Sequence, residues 1–96
     1  MAIQGIKDRQ TRAVSEGKVP KGLPAEIAKT GRRKLAAVEA AVLLDDLRAP
    51  PGNEPEALKW DRKGQHSIRI NDQGRVCFMW TEAGPKDVEI VDYHKG

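Results

Sequence analysis

Ninety-six residues with a net charge of +3 and 39% apolar side chains make one small folded domain, residues 1–96. There is room for one core and none for a separate cofactor-binding module. One cysteine, Cys77, and two histidines, His66 and His94, exclude a disulfide framework and a cysteine zinc cluster, and no HExxH, CxxC, GxGxxG or GxxxxGK pattern occurs. No metal and no cofactor is therefore expected. No apolar run reaches the length of a signal peptide or membrane span, so a cytoplasmic protein with no membrane partner is expected. The mildly basic balance permits a polyanionic partner without demanding one.

The chain divides into a helical front half and a stranded back half. Residues 3–16 open on Ile3 and Ile6 and then turn polar, which reads as a short edge strand followed by a weak helix. Gly17, Pro20 and Gly22 mark a loop. Pro24 suits the first turn of a helix, where its missing N–H costs nothing. Ile27, Leu35, Val38 and Val42 then form an apolar stripe, with Glu26, Lys29, Arg32, Arg33 and Glu39 mostly off it. This predicts the main helix over roughly 24–43. Gly31 inside it is expected to weaken it by roughly 1 kcal/mol relative to alanine. Ala49-Pro50-Pro51-Gly52-Asn53 cannot continue a helix.

Three strands follow by alternation: 67–70, 75–81 and 87–91, with turns at 71–74 and 82–86. Ile68, Ile70, Val76, Phe78, Trp80, Val88 and Ile90 share one face, which must lie on the helix. A one-residue slip would turn every side chain over, so the alternation sets the register. It pairs Ile68 with Val76 and Arg69 with Arg75. At the second turn it pairs Trp80 with Val88, Phe78 with Ile90 and Arg75 with Tyr93. Arg69, Arg75 and Tyr93 then form a row on the face away from the helix.

Two arginines directly opposite one another repel, and an anion lying over them would relieve the repulsion. Two solvated arginines beside an exposed tyrosine are the plain alternative, which pattern alone weighs about equally. Arginine forks and a lysine can hold a phosphate and neutralise the charge that builds on it during transfer. RNA cleavage needs no metal when the 2′-OH attacks the adjacent phosphorus and side chains supply an acid and a base. Lys59, Arg69, Arg75, Tyr93 and His94 are of the right types. Arg75, off the core face, is expected to be replaceable without loss of folding. Glu56 reads as a solvated loop charge, with a weak base as the alternative, His66 as surface, Cys77 as an inert thiol on the polar face and Trp80 as core. Trp60 is either a ring packed as a lid over its loop or a base-stacking platform, and packing is the favoured reading. The Lys29, Arg32, Arg33, Lys34 group reads as a solvated helix face.

Several segments together carry a resemblance: Lys21-Gly22-Leu23-Pro24-Ala25, Arg32-Arg33-Lys34-Leu35-Ala36-Ala37, Leu58-Lys59, Asp61-Arg62-Lys63-Gly64, Ser67-Ile68-Arg69-Ile70-Asn71, Arg75-Val76-Cys77-Phe78 and Val91-Asp92-Tyr93-His94. Over about residues 3 to 94 the chain resembles the HigB branch of the RelE-type toxins, also called plasmid maintenance system killer proteins. The resemblance implies a small α+β domain, with N-terminal helices packed on an antiparallel sheet of about three to four strands. It implies an mRNA interferase that cuts messenger RNA in the ribosomal A site. A HigA-like helix-turn-helix antitoxin is the implied partner, with operator DNA reached only through that antitoxin. Lys59, Arg75, Asp92, Tyr93 and His94 match the family's catalytic positions, without fixing which is the base. Arg69, Arg32, Arg33 and Lys63 are the cations expected to meet messenger or ribosomal RNA.

Many relatives carry histidine at the Glu56 position, glycine at the Trp60 position and an aromatic residue at the Gly74 position. These three residues support a second reading of another class: a module weakened or inactive in catalysis that only binds the ribosome, RNA or its antitoxin.

Overall fold

A computed structural model of the chain describes residues 2–92. Two helices, α1 (Arg9–Ser15) and α2 (Ala25–Ala40), pack on an antiparallel sheet of β1 (Glu56–Ala57), β2 (Gln65–Arg69), β3 (Gly74–Thr81) and β4 (Gly84–Asp92), whose spatial order follows the chain. The α+β architecture is the expected one, with a two-residue strand added to the three that alternation reveals.

Asp8 caps α1 by accepting the Thr11 amide at 2.8 Å, satisfying one of the donors that a helix start leaves open. Thr11 is fully buried, and its hydroxyl accepts the Ile90 amide at 2.8 Å. Upstream, the chain runs parallel to β4. Gln4 donates to the Pro85 carbonyl (2.7 Å), Lys7 to that of Val88 (2.9 Å), and Val88 to that of Gly5 (3.0 Å). The open edge of β4 is thus covered first by this segment and then by α1, which blunts it against pairing with another chain. The edge strand read at Ile3 and Ile6 reduces to one bridge, Ile6 to Val88.

The main helix stops at Ala40 rather than 43. Asp46 Oδ2 accepts the amides of Val42 and Leu43, each at 2.9 Å, which gives that backbone an alternative to another helical turn. These two bonds, Leu43 first and then Val42, hold the Asp46 carboxyl below the usual aspartate range. Val42, expected on the apolar stripe, is 62% exposed. Gly31 has a structural reason to be glycine. A Cβ there would stand 3.1 Å from Ile90 Cδ1 and 3.4 Å from Ile70 Cδ1. The helix rests directly on the sheet at this residue, and this close approach offsets its poor helix propensity.

Ile27, Leu35 and Val38 of α2 meet Val14, Leu47, Ile68, Val76, Phe78 and Val88 in the core. Trp80 is partly buried against it, edge-on to Phe78 at 6.4 Å. His66, read as surface, is half-buried and stacks on Phe78 at 6.3 Å. Between α2 and β1 the chain is organised by Asn53, which is fully buried. Its amide donates to the carbonyls of Leu47 and Ala49, both at 3.1 Å, and its Oδ1 accepts from Lys34 Nζ at 2.6 Å.

The first long hairpin has the expected register, with Ile68 opposite Val76 and Arg69 opposite Arg75. The second corrects the expectation. Thr81 pairs with Gly84 across a two-residue turn, so Trp80 lies opposite Pro85, Val76 opposite Ile90 and Arg75 opposite Val91. A bulge falls between Cys77 and Met79, and Asp87 takes up a left-handed backbone, φ 53°. Relative to the expected Phe78–Ile90 pair, the observed Val76–Ile90 pair is displaced by two residues. Between Gly74 and Cys77 this even displacement keeps the side chains on their faces, and the bulge takes up the odd residue beyond it, where Trp80 is displaced by three, which is why the core reading survives the register error.

Candidate phosphate-binding face of the sheet

Ser67, Arg69, Arg75, Cys77, Glu89 and Val91 point away from the helices by alternation along β2, β3 and β4. The arginines are the expected cross-strand pair, yet they are not bare. Arg75 Nε donates to Ser67 Oγ at 2.7 Å, its Nη2 donates to the Glu54 carbonyl, and Glu56 Oε1 lies 3.6 Å from Nη2. Arg69 pairs with Asp72 through Nη2 and faces Glu54 Oε2 at 3.8 Å through Nε. The repulsion between the two guanidiniums is therefore relieved by carboxylates of the chain itself. Glu54 reaches them because it leaves the 3₁₀ turn Pro51–Asn53 in a left-handed conformation, φ 39°.

Further along the same face Glu89, whose side chain is 12% exposed, accepts from both Lys7 Nζ and Arg62 Nη1 at 3.1 Å. Arg62 Nη1 also donates to Gln65 Oε1 at 3.1 Å. Arg62 ends the 3₁₀ turn Trp60–Arg62 within the loop that joins β1 to β2. The residue thus fastens that loop over the sheet. Cys77 is fully buried despite its position on this face, so no exposed thiol is available.

The remaining cations expected at the site are spread out. Lys59 precedes the Trp60–Arg62 turn, and Leu58 donates to the Gln65 carbonyl at 2.8 Å, which puts Lys59 at the Gln65 end of β2. Arg69 is four residues away along that strand, about 13 Å at the usual rise. Lys63 closes the same turn and is exposed. Among the described residues no hydrogen bond or ion pair joins Lys59 or Lys63 to the arginine pair. Arg32 lies elsewhere, its Cζ 3.2 Å from where a Gly17 Cβ would be, and Arg33 reaches Thr30 Oγ1 at 3.4 Å. Lys34 links α2 to the site. It is half-buried on Asn53, and its ammonium is pushed below the usual lysine range by burial first, then by Arg33 and Arg69.

Asp92 pairs with Gly74 and has the parity of Val88 and Ile90, which face the helices. Gly74, taken from the sequence as an unusual residue, lies against α2, where a Cβ would meet two Ile27 carbons at 3.4 Å. Tyr93 and His94 lie outside the described residues. Trp60, read as packing, is 88% exposed. Sequence reasoning gave no role to Glu54, Arg62, Ser67 or Glu89. Ser67 and Glu89 were discoverable from the register, since they share the arginines' face. Glu54 gave no signal, because its approach depends on a loop.

A family model described as the RelE-like toxin of the type II toxin–antitoxin system HigB matches residues 7–94. The chain belongs to this family. Among similar proteins, "Toxin HigB-1" of Vibrio cholerae serotype O1 is 43% identical over 73 residues, covering 76% of each chain. An uncharacterized protein of Haemophilus influenzae is 34% identical over 58 residues, covering 60% of this chain and 57% of its own. A type II HigB-like toxin has an antitoxin as its partner. Among the described residues no helix is long and apolar enough to cross a membrane, and no group of metal-ligating side chains gathers.

Proposed function

We propose that this HigB-like toxin is a ribosome-dependent endoribonuclease that cuts messenger RNA in the A site, and that a HigA-like helix-turn-helix antitoxin restrains it. The observation that supports this reading most is the Arg69–Arg75 pair, set side by side on adjacent strands and facing away from the core. Two forks so placed match the oxygens of one phosphodiester. The 2′-oxygen of the preceding ribose attacks phosphorus and the bond to the 5′-oxygen breaks, leaving a cyclic phosphate and a free 5′-hydroxyl. A base takes the 2′ proton and an acid supplies one to the leaving oxygen. Arg75 and Arg69 hold the oxygens on which charge accumulates. Tyr93 and His94 are the groups assigned to charge stabilisation and proton transfer. Lys59, about four strand residues from Arg69, holds a flanking phosphate instead, and Asp92, whose parity is that of the helix-facing Val88 and Ile90, is not placed at the scissile phosphate. Arg32 and Arg33 meet ribosomal RNA, Lys63 meets the messenger RNA, and operator DNA is contacted through the antitoxin.

The weakened-module reading draws on one observation: Glu54, Glu56 and Asp72 already occupy the two guanidiniums. The deciding experiment is induction of the chain in cells with and without the adjacent gene, combined with cleavage of mRNA on purified translating ribosomes. Growth arrest with A-site cuts supports the enzyme. Equal cleavage of naked mRNA removes the ribosome requirement, and arrest without cuts favours the binding module.

A further inference from the structure

Trp60 is the most exposed large apolar residue among the described residues, at 88%. It also holds a left-handed backbone, φ 58°, which is unfavourable for a bulky residue and is retained only where surrounding structure enforces it. That structure is visible. Arg62 donates to the Lys59 carbonyl at 3.1 Å and Lys63 to the Trp60 carbonyl at 3.0 Å, closing the turn. Leu58 bonds to the Gln65 carbonyl beneath it, and the Arg62 guanidinium ties the turn to Gln65 and Glu89. An indole is thus displayed to solvent on a fastened turn instead of being folded onto the core.

The immediate neighbours define what it would meet. Lys59 and Lys63 flank the turn, are exposed, and have no ion-pair partner among the described residues. Asp61 is the turn's one acid. A flat aromatic face between two available ammonium groups suits a segment of single-stranded RNA, with a base stacked on the ring and phosphates on the lysines. An acidic peptide would use the lysines but gain little from a bare indole face.

We propose that Trp60 is a stacking platform for one base of the RNA substrate, and that Lys59 and Lys63 hold the phosphates beside that base. This rests on the RNA-cleaving reading and deepens it. It places substrate contact about four strand residues away from the arginine pair, so the stacked base is not the one joined to the scissile phosphate. Trp60 binds and orients RNA, and it takes no part in proton transfer.

The test titrates the full chain with a short single-stranded RNA and with the same RNA lacking its bases, following tryptophan emission at low salt. Wild type, W60F and W60A are compared; W60F retains a stacking ring and reports Trp80 alone. Base-containing RNA quenches wild-type emission, whereas the abasic strand does not. W60A weakens binding of base-containing RNA about 5- to 100-fold and leaves abasic binding unchanged, while W60F restores most of the loss. K59A and K63A weaken both strands equally. On ribosomes, W60A raises KM with kcat within a few-fold.

Binding by W60A equal to wild type, an equal loss with the abasic strand, or no quenching at all overturns the proposal. Loss of antitoxin binding with RNA affinity intact would assign the ring to the protein partner, which also overturns it. The titration needs no cleavage, so a wild-type chain that binds and quenches but does not cut would remove the proposed activity and leave the platform standing.

Discussion

Replacing Arg75 with alanine removes a structural tie and a chemical group together, and the two effects differ in how they can be measured. The guanidinium donates to the fully buried Ser67 hydroxyl at 2.7 Å and to the Glu54 carbonyl, and its side chain is only 15% exposed. Two hydrogen bonds from a charged donor put the stability loss at about 3–6 kcal/mol. That is a serious fraction of the roughly 5–15 kcal/mol that holds a small domain. The sequence alone makes Arg75 a solvent-facing charge whose removal spares the fold; the structure makes it a link between β3, β2 and the loop at Glu54.

The chemical loss is of similar size. A donor aimed at charge that grows in the transition state is worth about 2–4 kcal/mol, or roughly 30- to 1,000-fold in rate. Ser67→Ala separates the two, because it removes one tie and keeps the cation. We expect Ser67→Ala to lose about 1 kcal/mol of stability and to cleave within a few-fold of wild type. Arg75→Ala should be less stable and lose most of its rate even where it is fully folded. Urea unfolding followed by circular dichroism gives the first quantity. Single-turnover cleavage on ribosomes programmed with one defined codon gives the second. A wild-type rate in folded Arg75→Ala would refute the catalytic assignment. Equal rate losses in both variants would show that the tie, not the charge, governs activity.

Three further outcomes follow from the same contacts. Glu56→Gln frees Arg75 from a carboxylate at 3.6 Å that is 59% exposed; such a screened pair is worth about 1 kcal/mol or less, so KM should fall by up to about fivefold, and a large loss of kcat would instead make Glu56 the base. Gly31→Ala gains about 1 kcal/mol of helix propensity but forces a methyl group against Ile90, at about 1–3 kcal/mol, so the urea midpoint should fall; a rise would refute the close approach. Asp46 titrates below the usual aspartate range in the folded chain, so its contribution is complete above that range and lost as pH falls through the lower folded value; the Val42 and Leu43 amide resonances should report this step, Asp46→Asn should abolish it, and a midpoint at the ordinary value would contradict the two bonds.

The fold was legible where alternation had a hydrophobic face to fix it. Ile68, Val76, Phe78, Val88 and Ile90 are all in the core, and that face is blind to even displacements along the strand. The sequence could not see that Thr81 and Gly84 close a two-residue turn, because Gly84-Pro85 reads as loop chemistry by composition. Nor could it see why α2 stops at Ala40. The stop comes from Asp46 reaching back to two amides, an interaction across a turn that has no periodic signature. Gly31 shows the opposite failure: a residue that propensity marks as a defect is the point where helix and sheet come closest.

The site was legible to the extent that it lies on strands. Arg69 and Arg75 face one another because they are register partners on β2 and β3, a pairing that alternation alone predicts. Glu54 and Asp72 come from loops and Glu56 from a two-residue edge strand that alternation does not reveal, so the approach of these acids to the arginines was not legible. This changes what the arginine pair means. On a bare face, two opposed guanidiniums would wait for an anion. Here Glu54 and Glu56 stand 3.6–3.8 Å from them, longer than a good charged hydrogen bond, while Asp72 pairs closely with Arg69, and all three acids are largely exposed. An RNA phosphate that makes shorter, forked bonds can displace them, and the cost of doing so is small because exposed pairs are weakly held. The acids then keep the pair aligned in the free protein without competing strongly for it. Removing any one of these acids should therefore change binding more than chemistry, whereas removing Arg75 changes both.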